Sequence, residues 1–95
     1  MKIVKEFILR NIAGETVLVP TGATSQEFNG LITMTDTAKF IWEHLEKAES
    51  FKELVGMMVE EYEVEEPIAK ADAHQFISEL LKHGFVECSK EDKSW

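Results

Sequence analysis

The hydrophobic pattern of this chain changes period once, at Thr35-Asp36, and that change limits what it can fold into. Before it, apolar residues come in short runs broken by glycine or proline. After it, they recur three and four residues apart. Period two marks strands and period 3.6 marks helices. Strand-forming sequence gathered at one end and helix-forming sequence at the other points to an α+β fold rather than alternating β-α-β units.

In the first part, "KEFILRNI" (5–12) places Phe7 and Leu9 on one parity and Ile8, Arg10 and Ile12 on the other. It reads as a strand with one face better buried. "AGE" and then "TVLVP" follow, which is a hairpin signal that Pro20 brings to an end. "TGATSQE" (21–27) reads as a loop of small and polar residues. Gly30 to Met34 is expected to be a third short strand.

In the second part, Thr35 can cap a helix and Asp36 suits the positive end of its dipole. Ala38, Ile41, Trp42 and Leu45 form one stripe of that helix, which "KAES" ends. Ser50 and Glu53 form a capping box. They open a second helix with Phe51, Leu54, Val55, Met58 and Tyr62 on one face. Pro67 fits the first turn of a third helix, lined by Ala69, Ala73, Phe76, Ile77 and Leu80, and Gly84 is its stop. "FVE" adds a short extended segment. "CSKEDKSW" is polar, so residues 1–88 are expected to form one domain and 89–95 a polar tail. Three short antiparallel strands followed by three helices are the elements of a winged-helix-like fold. No internal repeat or low-complexity tract is visible.

Charge and motif content narrow the function. With 10 Lys and Arg against 18 Asp and Glu, the net charge is −8. That argues against nucleic acid, whose phosphates call for concentrated positive charge, and fits solubility, or attraction to a basic peptide or partner. No apolar stretch approaches a membrane span. The apolar N-terminal run carries charges, so it does not read as a signal peptide, and a cytoplasmic location is the default expectation. One cysteine, Cys88, leaves no intrachain disulfide and reads as a small apolar residue rather than a reactive thiol.

No site for chemistry emerges. His44, His74 and His83 have no metal-ligand spacing, and no glycine-rich phosphate loop or local nucleophile–base pattern occurs. The run "VEEYEVEEP" reads as a solvated charge block. Met57-Met58, Phe40, Trp42 and Phe51 read as core. No catalytic residue, metal or cofactor is called for. What stands out is the third strand: "NGLITMT" holds no Lys or Pro to guard a sheet edge, and an extended peptide can add to such an edge. The pattern alone leaves open whether this strand lies at an edge or in the centre.

"VLVPTG…FNGLITMTDTAKFIWEHLE…SFKELVGMMVEEYEV…AKADAHQFISELLKHGFVE" resembles the PqqD-like family of precursor-peptide recognition elements over about Phe7 to Glu87. The matching features are the apolar strand ending in Pro20, Asn29 before a short strand, and Met34-Thr35-Asp36-Thr37 where the family tends to have Leu-Asn-Glu-Thr. Ile41-Trp42, Leu45, "EEY", and Asp72 with "FISELLKHGFV" complete the pattern. Thr35 departs from the family's usual Asn, but both cap helices.

The resemblance implies a winged-helix-like, non-catalytic module. It would bind the leader of a ribosomally made precursor peptide as an added strand and present it to a modifying enzyme, commonly a radical S-adenosylmethionine enzyme. Carried over by position, the peptide site is Asn29, Gly30, Leu31, Ile32 and Thr33 through their backbone, with Ala69, Asp72, Ala73, Phe76, Ile77 and Leu80 on the third helix. The competing expectations are a DNA-binding winged-helix regulator, which the net charge opposes, an uncharacterised small enzyme or metal protein, which no spacing supports, and a self-associating domain or homodimer that pairs its own edge strands.

Overall fold

The computed structural model describes residues 1–28 and 30–88. The expected 89–95 tail and Asn29 lie outside the described residues. The elements run β1 (Lys2–Ile3), β2 (Phe7–Ile12), β3 (Glu15–Pro20), α1 (Thr24–Glu27), β4 (Ile32–Met34), α2 (Asp36–His44), α3 (Phe51–Tyr62), α4 (Glu66–Lys82) and β5 (Val86–Glu87). The result is a winged-helix-like α+β arrangement with a three-stranded antiparallel sheet of order β2-β3-β4.

The β2–β3 hairpin turns on a two-residue loop, with Ile12 opposite Glu15. Ala13 (φ 52°) and Gly14 (φ 83°) are both left-handed, the backbone that matches the twist of the flanking strands. Leu9, Leu18 and Ile32 face one another across the three strands. On this inner face Leu18 is fully buried and Met34 nearly so. The exposed distal part of the hairpin, Arg10 to Glu15, forms the wing.

The caps form where the sequence places them. Thr35 Oγ1 accepts from the Ala38 amide at 3.1 Å, and Ser50 Oγ accepts from the Glu53 amide at 3.0 Å. Pro67 lies in the first turn of α4. At the other end of α4, Gly84 (φ 73°) supplies the left-handed residue of a Schellman turn. The Gly84 amide donates to the Leu81 carbonyl at 3.1 Å and the Phe85 amide to the Leu80 carbonyl at 2.9 Å. This turn drops Phe85 and Val86 into the core, where they are 4% and 2% exposed. The core joins Leu18 of the sheet to Ile41, Trp42, Leu45, Leu54, Met58, Ala73 and Ile77 of the helical half.

Four features depart from the sequence reading. First, "TGATSQE" is not all loop. It contains the one-turn helix α1, held because the buried Thr24 hydroxyl accepts from the Glu6 amide at 2.8 Å and the Thr21 amide donates to the Glu6 carbonyl. Second, Lys2–Ile3 and Val86–Glu87 pair as a separate two-stranded sheet. Third, the strand expected from Gly30 begins at Ile32, since Gly30 and Leu31 precede its first pair with β3. Fourth, Cys88, read as a small apolar residue, is exposed.

Candidate functional site

β4 enters the sheet from a constrained approach. α1 ends at Phe28, whose amide donates to the Thr24 carbonyl at 2.8 Å. The Phe28 ring meets Phe85 edge-on at 5.4 Å between centroids, and Phe7 meets Phe85 at 4.7 Å and Trp42 at 5.8 Å. These rings tie the start of β4 to the far end of α4. At the other end, Met34 is 6% exposed and the next residue is the N-cap of α2. A three-residue strand held at both ends has little freedom to shift register.

β4 is a sheet edge. Ile32, Thr33 and Met34 pair with Leu18, Val17 and Thr16 of β3, and among the described residues no strand pairs with the opposite side. Beyond this edge lies an open groove of about 590 Å³, floored by Ile32, Thr33, Ala38 and Ile41 and walled by α4. A second cleft of about 620 Å³ adjoins it, sharing Phe28, His83 and Phe85 and reaching Lys5, Glu27 and Glu87.

α4 carries two adjacent stripes. Ala69, Ala73, Ile77 and Leu80 are buried in the core, where α4 packs on α2, α3 and β5. Asp72, Gln75, Phe76, Glu79 and His83, spaced by three and four residues, line the groove, with Leu80 at the boundary between the stripes. The sequence reading merged the two. Of its eleven site residues, the structure brings Ile32, Thr33, Asp72, Phe76 and Leu80 together on the groove. Gly30 and Leu31 sit outside its lining, with Leu31 57% exposed. Ala69, Ala73 and Ile77 are core residues that do not reach it. Asn29 lies outside the described residues.

Phe28, Ala38, Gln75, Glu79, His83 and Phe85 line the groove without having been singled out as site residues. For the α4 members a signal existed, since they share a helical face with Asp72. Phe28 and Phe85 arrive through α1 and the Schellman turn, which local pattern does not reveal.

The groove is mainly apolar at its floor and acidic along its helix. Among the described residues, the ionisable ones in its lining are Asp72, Glu79 and His83, with no Lys or Arg. His83 stacks on Phe85 at 5.5 Å, and its Nε2 lies 3.7 Å from Glu79 Oε2. The other histidines lie elsewhere. His44 stacks on Phe40 at 4.0 Å and donates from Nδ1 to the Phe40 carbonyl at 2.8 Å, and His74 is exposed on α4. Among the described residues no group of three or more His, Cys, Asp or Glu side chains is placed to hold a metal ion, and no helix is long and apolar enough to cross a membrane.

Comparison with known proteins gives two matches. The family model described as "Coenzyme PQQ synthesis protein D (PqqD)" matches residues 15–86, from the start of β3 to the first residue of β5. A solved structure, "TbiB1 in Complex with the TbiA(beta) Leader Peptide", superposes with a TM-score of 0.67 over 94% of this chain and 98% of that one, at 24% identity. That likeness is one of fold. No curated protein matches.

Proposed function

The chain belongs to the PqqD family, and from that premise we propose that it is a non-catalytic module that binds the leader of a ribosomally made precursor peptide. The leader adds as a strand along β4 and lies against α4. The observation that carries this reading is the side of β4 left unpaired among the described residues, which opens onto a groove of about 590 Å³. A bound strand satisfies main-chain groups that water otherwise solvates, and its alternate side chains enter the groove. Support also comes from TbiB1, a protein of this fold whose structure contains a leader peptide.

Within this reading, recognition falls to the backbone of Ile32 and Thr33 and to Asp72, Phe76 and Leu80. Ala69, Ala73 and Ile77 act indirectly by holding α4 at its distance from the sheet. The bound leader is presented to a modifying enzyme, and a radical S-adenosylmethionine enzyme is the class the family points to. Groove and strand are positioned before the peptide arrives, which lowers the ordering cost on the protein's side. The leader loses its own freedom, so moderate affinity is expected.

The test is an NMR titration with the leader segment of a short precursor peptide found encoded beside this gene, or, where none is found, with extended synthetic peptides. Amide shifts at Ile32–Met34 and along Asp72–His83 are expected, and shifts confined to other surfaces would refute the site. Self-pairing through the same edge is the competing use of β4. A mass measurement with and without leader separates the two, because a dimer that uses this edge dissociates as the leader binds.

A further inference from the structure

The groove's helical wall has a chemical order along it. Asp72, Phe76 and Glu79 occupy one face of α4, with the half-buried ring between two exposed carboxylates. Seven residues of helix separate the carboxylates, a rise of about 10.5 Å. An extended strand lying along that wall turns every second side chain toward it. Residues two apart are separated by about 6.7 Å and residues four apart by about 13 Å. The latter spacing brackets the two carboxylates, and the length of a Lys or Arg side chain absorbs the difference.

We propose that this groove selects an extended segment of the pattern basic–x–apolar–x–basic, with the apolar side chain against Phe76 and the two cations against Asp72 and Glu79. The inference rests on the reading of the groove as a peptide-docking site and names the chemistry of its occupant. Three features converge on it. The open side of β4 calls for an extended chain, the half-buried Phe76 calls for an apolar contact, and the lining offers two carboxylates with no Lys or Arg among the described residues to neutralise them. Among the described residues, His83 beside Glu79 is the one ionisable group in the lining able to carry positive charge, and only when protonated. The chain's overall charge of −8 draws the same cations in from a distance. An acidic segment would place like charges against α4 and leave its own carboxylates unpaired.

The test is selection of short random peptides displayed in a library, against the wild-type protein and against the double variant D72K/E79K. Both positions are exposed, so the variant keeps the core. With the wild type, Lys and Arg are expected to exceed Asp and Glu by about fivefold at the positions two residues before and two residues after the apolar residue, as for surface ion pairs. On D72K/E79K the bias reverses. The best wild-type peptide is then titrated into isotopically labelled protein. Equal charge usage on the two proteins, with amide shifts at Ile32–Met34 and α4, overturns the charge selectivity and leaves docking intact. Shifts elsewhere, or no selected peptide at all, overturn docking and the selectivity with it.

Discussion

Ala13 holds a backbone angle, φ 52°, that a side chain with a Cβ adopts at a cost of about 1 kcal/mol. The two-residue turn demands that angle, and Asn tolerates it better than Ala. Ala13→Asn is therefore expected to stabilise the protein by about 0.5–1 kcal/mol, read as a higher urea midpoint with an unchanged slope. Tyr62 offers a second residue-level prediction. Burial first, then the negative charges of Asp36, Glu61 and Glu43, raise its hydroxyl above the ordinary 10.0, and that hydroxyl donates to the Asp36 carbonyl at 3.1 Å. A proton held more tightly in the folded chain stabilises that chain. This contribution is complete below pH 10 and is lost as pH rises through the higher folded-state value. Tyr62 is the chain's one tyrosine, so phenolate absorbance follows it alone. Its midpoint should lie higher in the folded protein than in urea, and equal midpoints would contradict the assignment.

At the scale of elements, α4 separates two duties that share one stretch of sequence. Phe76 lines the groove and is half-buried, while Ile77, one residue on, is 6% exposed in the core. Successive helix positions are about 100° apart, so neighbours in sequence face different environments. Phe76→Ala is expected to weaken peptide binding at least about tenfold, as loss of a buried aromatic contact does at interfaces, with the smaller stability loss of the pair. Ile77→Ala is expected to cost about 2–5 kcal/mol of stability while the affinity of the folded fraction falls much less than in Phe76→Ala, since Ile77 acts on the groove only through the position of α4. Urea denaturation and peptide titration of both variants check this. A reversed pattern would mean that the stripes are assigned the wrong way round. The helices themselves were legible because their caps are local: Thr35, Ser50, Pro67 and Gly84 each act within a few residues. The division of α4 into stripes was less so. A window containing Ala69, Asp72, Ala73, Phe76 and Ile77 shows which residues are apolar, not which neighbour each will meet.

At the scale of the molecule, the N-terminus closes the fold. Ile3 pairs with Val86, the Val4 amide donates to the Phe85 carbonyl at 3.0 Å, and Met1 is 9% exposed within the core. These contacts brace Phe85, which lines the groove. Removing residues 1–4 is expected to cost about 3 kcal/mol through lost apolar burial and lost strand bonds and to weaken peptide binding as Phe85 loosens. A truncated protein that melts and binds like the whole chain would show that β1 is ornamental.

The sequence by itself determined the class of the fold, the existence of the β2–β3 hairpin and the three longer helices, and their caps. Each of these rests on interactions between residues close along the chain. Tertiary structure decided the rest. It made β4 an edge among the described residues, turned Thr24 into an anchor for α1, paired β1 with β5, and chose which residues of α4 look into the groove. Those outcomes depend on contacts between residues distant in sequence. A local pattern records a side chain's chemistry, but not which distant surface will come to lie against it.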